Sequence, residues 1–184
     1  MDHYLEIRLL PDPEFPPTIL MNALFAKLHR VLAQTENHRI GVSFPGVREK
    51  PASLGERIRL HGAASDLEQL VAMQWLAGMR DYTVSSGVTP VPSGATYRVV
   101  RRVQAKSGIE RLVRRRVKRG IHEEVARNAL LCSTPERLDL PFISLSSQST
   151  GQHFRLFIKH KQSESCAGSF SYYGLSASAT VPWF

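Results

Sequence analysis

The first ninety residues alternate between two hydrophobic periods, and this alternation restricts the folds open to the chain. Residues 4–9 place an apolar side chain at every second position, which is typical of a half-buried strand. After a run of prolines, apolar residues recur at helical spacing from Ile19 to Leu32. We therefore predict that a strand and a helix open the chain and share one apolar core.

Two short strands, a helix and a fourth strand are predicted next. The short strands lie at residues 39–44 and 57–61, and the charged neighbours of the apolar residues in the second are expected to face solvent. Residues 65–68 form a capping box, which predicts a second helix that ends near Gly78 and precedes a strand at residues 82–86. The order β-α-β-β-α-β predicts an α+β protein with an N-terminal ferredoxin-like domain, an arrangement shared with the RNA-binding RRM fold.

A stretch rich in proline, serine, threonine and glycine follows. Residues 89–96 read TPVPSGAT, which favours a joint, so we predict one domain over 1–94 and a smaller α+β domain over 95–184. In chain order the second domain is predicted to contain a strand, two helices and two strands, at residues 97–104, 109–119, 122–131, 140–146 and 153–159. Short pieces at 170–174 and 181–184 complete it.

Positive charge is concentrated between Arg101 and Arg119. This segment holds nine Lys and Arg residues against the single acid Glu110, a net charge of +8 that equals the formal charge of the whole chain. A positive field confined to one segment indicates that a polyanion is bound there, and nucleic acid is the commonest such partner. The alternative is a basic helix face that is only solvated.

The basic segment predicts a helix with Ser107 as its N-cap. Its cations share one face, formed by Arg111, Arg114, Arg115, Lys118 and Arg119, and the opposite face is formed by Ile109, Val113 and Val117. A cationic face of this length can follow several phosphates, and a short hairpin is a better partner than long duplex RNA, whose deep groove excludes side chains. Upstream, Arg102 and Gln104 have strand spacing and are residue types that read purine edges.

The ionisable residues narrow the possible chemistry. The acids are scattered and no HxH or HExxH pair occurs, so we expect neither a metal nor a cofactor. Cys132 and Cys166 form no CxxC pair, the N-terminus is charged, and no long apolar run is present. These features predict a soluble cytoplasmic protein without a membrane segment. Histidine chemistry remains possible, but none of the seven histidines stands out by pattern alone.

Taken one by one, the candidate functional residues are most simply interpreted as residues with a structural role. His29 lies beside the apolar stripe of the first helix, where a capped or surface imidazole is expected. Ser147 is one of several serines in a polar loop, and Phe154 and Tyr173 are aromatic residues of a kind that usually packs in a core. Pattern alone therefore assigns no catalytic residue.

Longer segments of the sequence are more specific for a protein family than these patterns. They are DHYLEIRLLPDPEFPP near the start, RRVQAKS at 101–107, LPF at 140–142, SQSTGQHFRLFIKH at 147–160, YGLS at 173–176 and VPWF at 181–184. On these strings the chain resembles, over nearly its whole length, the CRISPR-associated endoribonuclease of subtype I-F, which cuts CRISPR transcripts at each repeat hairpin. That family has a ferredoxin-like N-terminal domain and a C-terminal part with an arginine-rich helix, which agrees with the division predicted from the patterns.

The resemblance implies roles for individual residues. It implies that His29 is a general base on a ribose 2′-hydroxyl, that Ser147 positions this hydroxyl and that Tyr173 orients the histidine. Arg102 and Gln104 are implied to read bases near the foot of the stem. It also implies that Phe154 stacks on the terminal base pair and that Ser149 and Thr150 contact the RNA near the scissile phosphate. The basic helix and its cap complete the predicted RNA-binding set with Ser107, Arg111, Arg114, Arg115, Lys118 and Arg119.

These implications predict a metal-independent endoribonuclease. The 2′-hydroxyl would attack the adjacent phosphate at the 3′ foot of the repeat stem-loop and leave a 2′,3′-cyclic phosphate and a 5′-hydroxyl. We expect a monomer when the protein is alone, and the resemblance implies that it stays on the mature CRISPR RNA and joins the other subunits of the type I-F surveillance complex. One departure from the family is Gly120, which replaces a histidine at the end of the basic helix. The alternative function is a non-catalytic subunit that binds the hairpin and caps a guide RNA.

Overall fold

The computed structural model describes residues 1–104, 109–131, 138–147 and 151–184, with only the backbone of 109–112 and 130–131. Two compact units can be distinguished. The first combines Met1–Arg102 with Leu140–Phe184, and the second is Val103–Asp139. The domain boundary predicted at residue 94 lies between two strands of the first unit and stays a prediction.

The first ninety residues form a four-stranded antiparallel sheet with two α-helices and one short 3-10 helix, Arg80–Tyr82. In chain order the elements are β1 (His3–Leu9), α1 (Pro17–Gln34), β2 (Gly41–Ser43), β3 (Arg57–Gly62), α2 (Ala64–Ala72) and β4 (Thr83–Pro90). The strands lie in the order β2-β3-β1-β4, and each neighbouring pair is antiparallel. This connectivity is the ferredoxin-like arrangement, so the predicted fold class is confirmed.

Helix α1 has one buried face and one accessible face. Pro17 occupies the first turn, where its missing amide costs no helical hydrogen bond. The buried residues are Leu20, Met21, Leu24, Phe25, Leu28, Val31 and Leu32. Ile19, which was predicted to belong to this stripe, is 51% exposed. Because His29 and Arg30 lie outside the buried set, the helix can present both side chains to a ligand.

Strand β3 is buried on both faces, so the prediction that its charged residues face solvent is wrong for Arg59. This arginine is only 6% exposed. It donates from Nε and Nη2 to Glu6 Oε2 and from Nη1 to the carbonyl oxygen of Phe184, and its guanidinium lies 3.9 Å from the centroid of the Phe184 ring. The C-terminal residues cover this face, and the buried charge is stabilised by an ion pair and hydrogen bonds.

Helix α2 begins before the predicted capping box and ends earlier than predicted. Its N-cap is Ala63, which makes no side-chain cap hydrogen bond, and its last residue is Ala72 rather than a residue near 78. Because the helix already starts at Ala64, Ser65 lies inside its first turn and cannot act as the N-cap. The predicted capping box is therefore wrong.

A second four-stranded sheet completes the first unit. Its strands are β5 (Thr96–Val103), β6 (Phe142–Ser146), β7 (His153–Ser163) and β8 (Thr180–Trp183), in the order β6-β7-β5-β8. Strands β6 and β7 pair in antiparallel register from Phe142 with Phe157 to Ser146 with His153, so the predicted hairpin is confirmed. Because β6 lies at the edge of this sheet, one side of its backbone is open to partners other than a strand.

The second unit contains the two predicted helices, α3 (Ile109–Val117) and α4 (Glu123–Leu131). Val113 is buried as expected, whereas Val117 is 41% exposed. The cations Arg114, Arg115, Lys118 and Arg119 are exposed. The chain turns at Gly120, whose φ is +84°. The cap predicted at Ser107 and the side chain of Arg111 lie outside the described residues.

Candidate active site

His29 lies on the accessible side of α1, and the backbone fixes one of its ring nitrogens. Nδ1 lies 3.0 Å from the carbonyl oxygen of Tyr172. Because a carbonyl oxygen can only accept a hydrogen bond, Nδ1 carries the proton and donates it. In the neutral imidazole Nε2 is then unprotonated and holds a lone pair, as a general base requires.

The ring of Tyr173 stacks on the imidazole of His29. Their centroids are 4.0 Å apart and their planes differ by 16°. The ring of Phe25 is parallel to that of Tyr173 within 4°, at a centroid distance of 6.3 Å. Since Phe25 is fully buried, it anchors the tyrosine ring to the core, and the tyrosine ring in turn restricts the orientation of the histidine.

A tight turn at residues 171–175 presents both contacts to His29. The amide and the hydroxyl of Ser171 each donate to the carbonyl of Leu175 at 2.9 Å, and the amide of Gly174 donates to the carbonyl of Ser171 at 2.8 Å. Gly174 has a φ of +67°, and a Cβ at this position would collide with Cγ2 of Val42. Glycine is therefore required both for the backbone conformation and for space.

A second histidine, His38, holds the chain just before this turn. Its Nδ1 donates to the carbonyl of Phe170 at 2.7 Å, and the amide of Phe170 donates to the carbonyl of His38 at 2.9 Å. The His38 ring also lies against the ring of Tyr172, with centroids 4.6 Å apart. No pattern in the sequence indicated His38, because Phe170 lies 132 residues away.

Ser147 reaches the same region through the hairpin of β6 and β7. The amide of Ser144 donates to Oδ1 of Asn22 at 2.9 Å, which ties the edge strand to α1. The amide of Ser147 donates to the carbonyl of Gln152 at 2.9 Å, which closes the end of the hairpin. Asn22 lies two turns before His29, so α1 positions both the histidine and the strand that leads to Ser147. The role of Asn22 was not predicted from the sequence.

The predicted catalytic residues line one cavity. His29, Ser147 and Tyr173 all border a space of about 940 Å³ between α1 and the end of the hairpin. Ala26 and Ala33 of α1 also line it, and their small side chains leave room for a ligand. Residues from three distant segments of the sequence therefore meet at one opening.

Part of the predicted RNA-binding set also lies near this cavity. Phe154 lines it and is half-buried, and the guanidinium of Arg102 lies 5.8 Å from the centroid of the Phe154 ring. Gln104 is exposed. Ser149 and Thr150 lie outside the described residues. The RNA contacts of all these residues stay predictions.

Two other histidines do not line the cavity, and of these His61 is fully buried and His160 is half-buried. Burial, with a smaller effect of Arg59, lowers the pKa of His61 to about 3. Burial, with a smaller effect of Arg98, lowers the pKa of His160 to about 4. Both imidazoles are therefore neutral at neutral pH.

Neither a metal-ligand cluster nor a membrane span is found in the described part of the chain. No three or more His, Cys, Asp or Glu residues within it are grouped so that they could hold a metal ion. No helix within it is long and apolar enough to cross a membrane.

Comparison with known proteins gives a match over almost the entire chain. The family model described as CRISPR-associated protein (Cas_Csy4) matches residues 4–184. A Pseudomonas aeruginosa (strain UCBPP-PA14) protein named CRISPR-associated endonuclease Cas6/Csy4 is 52% identical over 187 residues, with 100% of both chains covered. A protein of the same name from Escherichia coli (strain UTI89 / UPEC) is 54% identical, with the same coverage.

Proposed function

Because the chain belongs to the Csy4 family of CRISPR-associated proteins, we propose that it is an endoribonuclease that cleaves precursor CRISPR RNA at the 3′ foot of each repeat stem-loop. Both full-length relatives are named endonucleases, which supports this activity. The observation that carries the proposal is the state of His29. Its Nδ1 is held by a backbone carbonyl, and its ring lines a cavity together with Ser147 and Tyr173.

The proposed chemistry uses a nucleophile that belongs to the RNA. Nε2 of His29 takes the proton of the ribose 2′-hydroxyl, and the 2′-oxygen forms a bond to the adjacent phosphorus. The bond between phosphorus and the 5′-oxygen breaks, and this oxygen takes up a proton from the imidazolium or from water. The products are a 2′,3′-cyclic phosphate and a 5′-hydroxyl. The step is proposed to need no metal ion, since an imidazole can take this proton at neutral pH.

Ser147 and Tyr173 are proposed to position the reacting groups. The hydroxyl of Ser147 would hold the 2′-hydroxyl in line with the bond that breaks, and such alignment supplies a large part of the acceleration in reactions of this type. Tyr173 would keep the imidazole in place through the 4.0 Å ring stack. Neither side chain forms a covalent intermediate in this scheme.

Binding of the hairpin is assigned to the basic residues. The exposed face of α3 and the turn after it, with Arg114, Arg115, Lys118 and Arg119, would contact phosphates of the stem. Arg102 and Gln104 would read purine edges near its foot, and Phe154 would stack on the terminal base pair. We further propose that the protein is cytoplasmic, acts as a monomer, keeps the cleaved hairpin and joins other subunits on the mature guide RNA.

The experiment is cleavage of a repeat hairpin in EDTA, with analysis of the product ends. We expect a 2′,3′-cyclic phosphate and a 5′-hydroxyl, and no cleavage of a matched hairpin with one 2′-deoxy sugar at the cut site. Cleavage of the deoxy substrate would refute internal attack, and cleavage only after addition of Mg²⁺ would refute metal independence. Tight binding without cleavage under either condition would favour the non-catalytic hairpin-binding subunit.

A further inference from the structure

The proposed reaction has an electrostatic requirement that His29, Ser147 and Tyr173 do not meet. When the deprotonated 2′-oxygen attacks, negative charge accumulates on the nonbridging oxygens of the pentacoordinate phosphate. Enzymes stabilise such charge with donors and cations that are already in place before the reaction. His29 is charged only after it has taken the proton, and none of these three side chains is a permanent cation, so a cation fixed at the cavity would stabilise this charge throughout the step.

Arg30 is a permanent cation at this cavity. It follows His29 on α1, and its side chain is exposed and lines the same space. Among the described residues that line the cavity, no other is an Arg or Lys and none is an Asp or Glu. No acidic side chain of that lining therefore neutralises the guanidinium.

The neighbouring cation on α1 has a different position. Lys27 does not line the cavity, and its Nζ donates to the carbonyl of Ala77 at 2.7 Å. Successive helical residues are about 100° apart, so Arg30 borders the cavity from a different direction than His29. One helix can therefore place a base beside the 2′-hydroxyl and a cation beside the phosphate that this hydroxyl attacks.

We propose that Arg30 is a further catalytic residue, whose guanidinium donates hydrogen bonds to the nonbridging oxygens of the scissile phosphate. This inference rests on the proposed endoribonuclease function. The planar guanidinium presents paired donors that match two oxygens of one phosphate, which the ammonium of lysine cannot do. Its contact strengthens as charge develops, so it lowers the barrier more than it raises affinity for the intact RNA.

The test compares Arg30→Ala and Arg30→Lys with wild type in single-turnover cleavage at saturating protein. Arg80→Ala is the matched control, because Arg80 is an exposed arginine of the same unit that does not line this cavity. Affinity is measured separately with the hairpin that carries a 2′-deoxy sugar at the cut site. Thermal unfolding of each variant checks that it is folded.

We expect Arg30→Ala to slow cleavage by about 10- to 100-fold, with the lower end reflecting the exposure of the side chain. Its affinity for the deoxy hairpin should match that of Arg80→Ala, and Arg30→Lys should recover part of the rate. Replacing a nonbridging oxygen of the scissile phosphate by sulfur should slow wild type more than Arg30→Ala, because the variant no longer contacts that atom.

Three results would overturn the inference while leaving the endoribonuclease intact. They are an unchanged cleavage rate in Arg30→Ala, a loss of affinity as large as the loss of rate, and an equal effect of sulfur on the two proteins. The second result would make Arg30 only a binding residue. Absence of cleavage by the wild-type protein is a different outcome, because it refutes the proposed function and the role of Arg30 with it.

Discussion

Nδ1 of His29 and the carbonyl oxygen of Tyr172 lie 3.0 Å apart, although 143 residues separate them in the sequence. The partner is a backbone group without a charge, so it sets the tautomer of the imidazole without adding a carboxylate to the cavity. Many catalytic histidines are oriented by an Asp or Glu. Here the turn at residues 171–175 supplies both the carbonyl and the stacked ring of Tyr173.

The proposed general-base role of His29 predicts the effect of its removal. His29→Ala should lower the single-turnover cleavage rate by about 10²- to 10⁴-fold, since that is the usual contribution of a positioned base. Its affinity for the 2′-deoxy hairpin should stay within a few-fold of wild type. His3→Ala, which removes a histidine from β1, is the control and should cleave normally. Strong residual cleavage by the His29 variant would exclude this role.

The ring stack predicts a difference between two substitutions of Tyr173. Tyr173→Phe keeps an aromatic ring on the imidazole and should cleave within a few-fold of wild type, whereas Tyr173→Leu removes the stack and should be clearly slower. The measurement is the cleavage rate at saturating protein, with binding of the 2′-deoxy hairpin as the reference. An equal loss in both variants would show that the hydroxyl, rather than the ring, is the important group.

The turn before Leu175 predicts a strict requirement for Gly174. Alanine there combines a strained positive φ with a collision against Val42, so Gly174→Ala should lower the free energy of unfolding by about 1–3 kcal/mol or more. It should also slow cleavage, because the turn carries the groups that hold His29. Gly94→Ala is the matched control, since Gly94 has a φ of +82° but nothing within 4 Å of the added Cβ. Similar unfolding temperatures for the two variants would contradict the packing argument.

The lowered pKa values of His61 and His160 predict that stability falls in mild acid. The pKa of His61 is about 3 and that of His160 about 4 in the folded protein, both below the ordinary value of about 6.5. As pH falls below about 6.5, these two imidazoles bind protons in the unfolded chain but remain neutral in the folded protein. The free energy of unfolding therefore decreases. Each group should cost up to about 2 kcal/mol by about pH 5.

Thermal unfolding between about pH 7 and 5 measures this effect. His61→Gln and His160→Gln should each flatten the dependence of stability on pH, because a neutral amide replaces a group that gains protons in this pH range chiefly in the unfolded chain. Glutamine can also accept the hydrogen bond that the amide of Phe44 donates to His160. An unchanged slope in both variants would mean that other groups cause the acid sensitivity.

The basic face of α3 predicts a change in the salt dependence of binding. Replacing Arg114 and Arg115 by Ala should weaken hairpin binding and reduce the slope of log affinity against log salt by about 0.7–0.9 for each lost phosphate contact. The replacement of Arg8, an exposed arginine of β1, is the control for loss of charge. A slope equal to that of wild type would show that these arginines do not contact phosphate.

Some parts of the fold could be predicted because their signals are local. The alternation in β1 and the helical stripe of α1 arise from neighbouring residues, and the hairpin of β6 and β7 follows from two such strands joined by a short loop. The predicted capping box at Ser65 failed because a four-residue pattern does not decide where a helix starts. Arg59 was misplaced because Phe184, 125 residues away, covers its strand.

The sequence alone determined the order of strands and helices, the concentration of charge between Arg101 and Arg119, and, through its long strings, the family. Periodicity and charge are local properties of the sequence. A long string of residues shared with a protein family identifies that family wherever the string occurs. Only the tertiary structure placed Tyr172 against Nδ1 of His29, His38 against Phe170, and Arg30 at the same cavity as Ser147. These relationships depend on distances between residues far apart in the chain, which are set by the packing of the two sheets and α1 rather than by any local pattern.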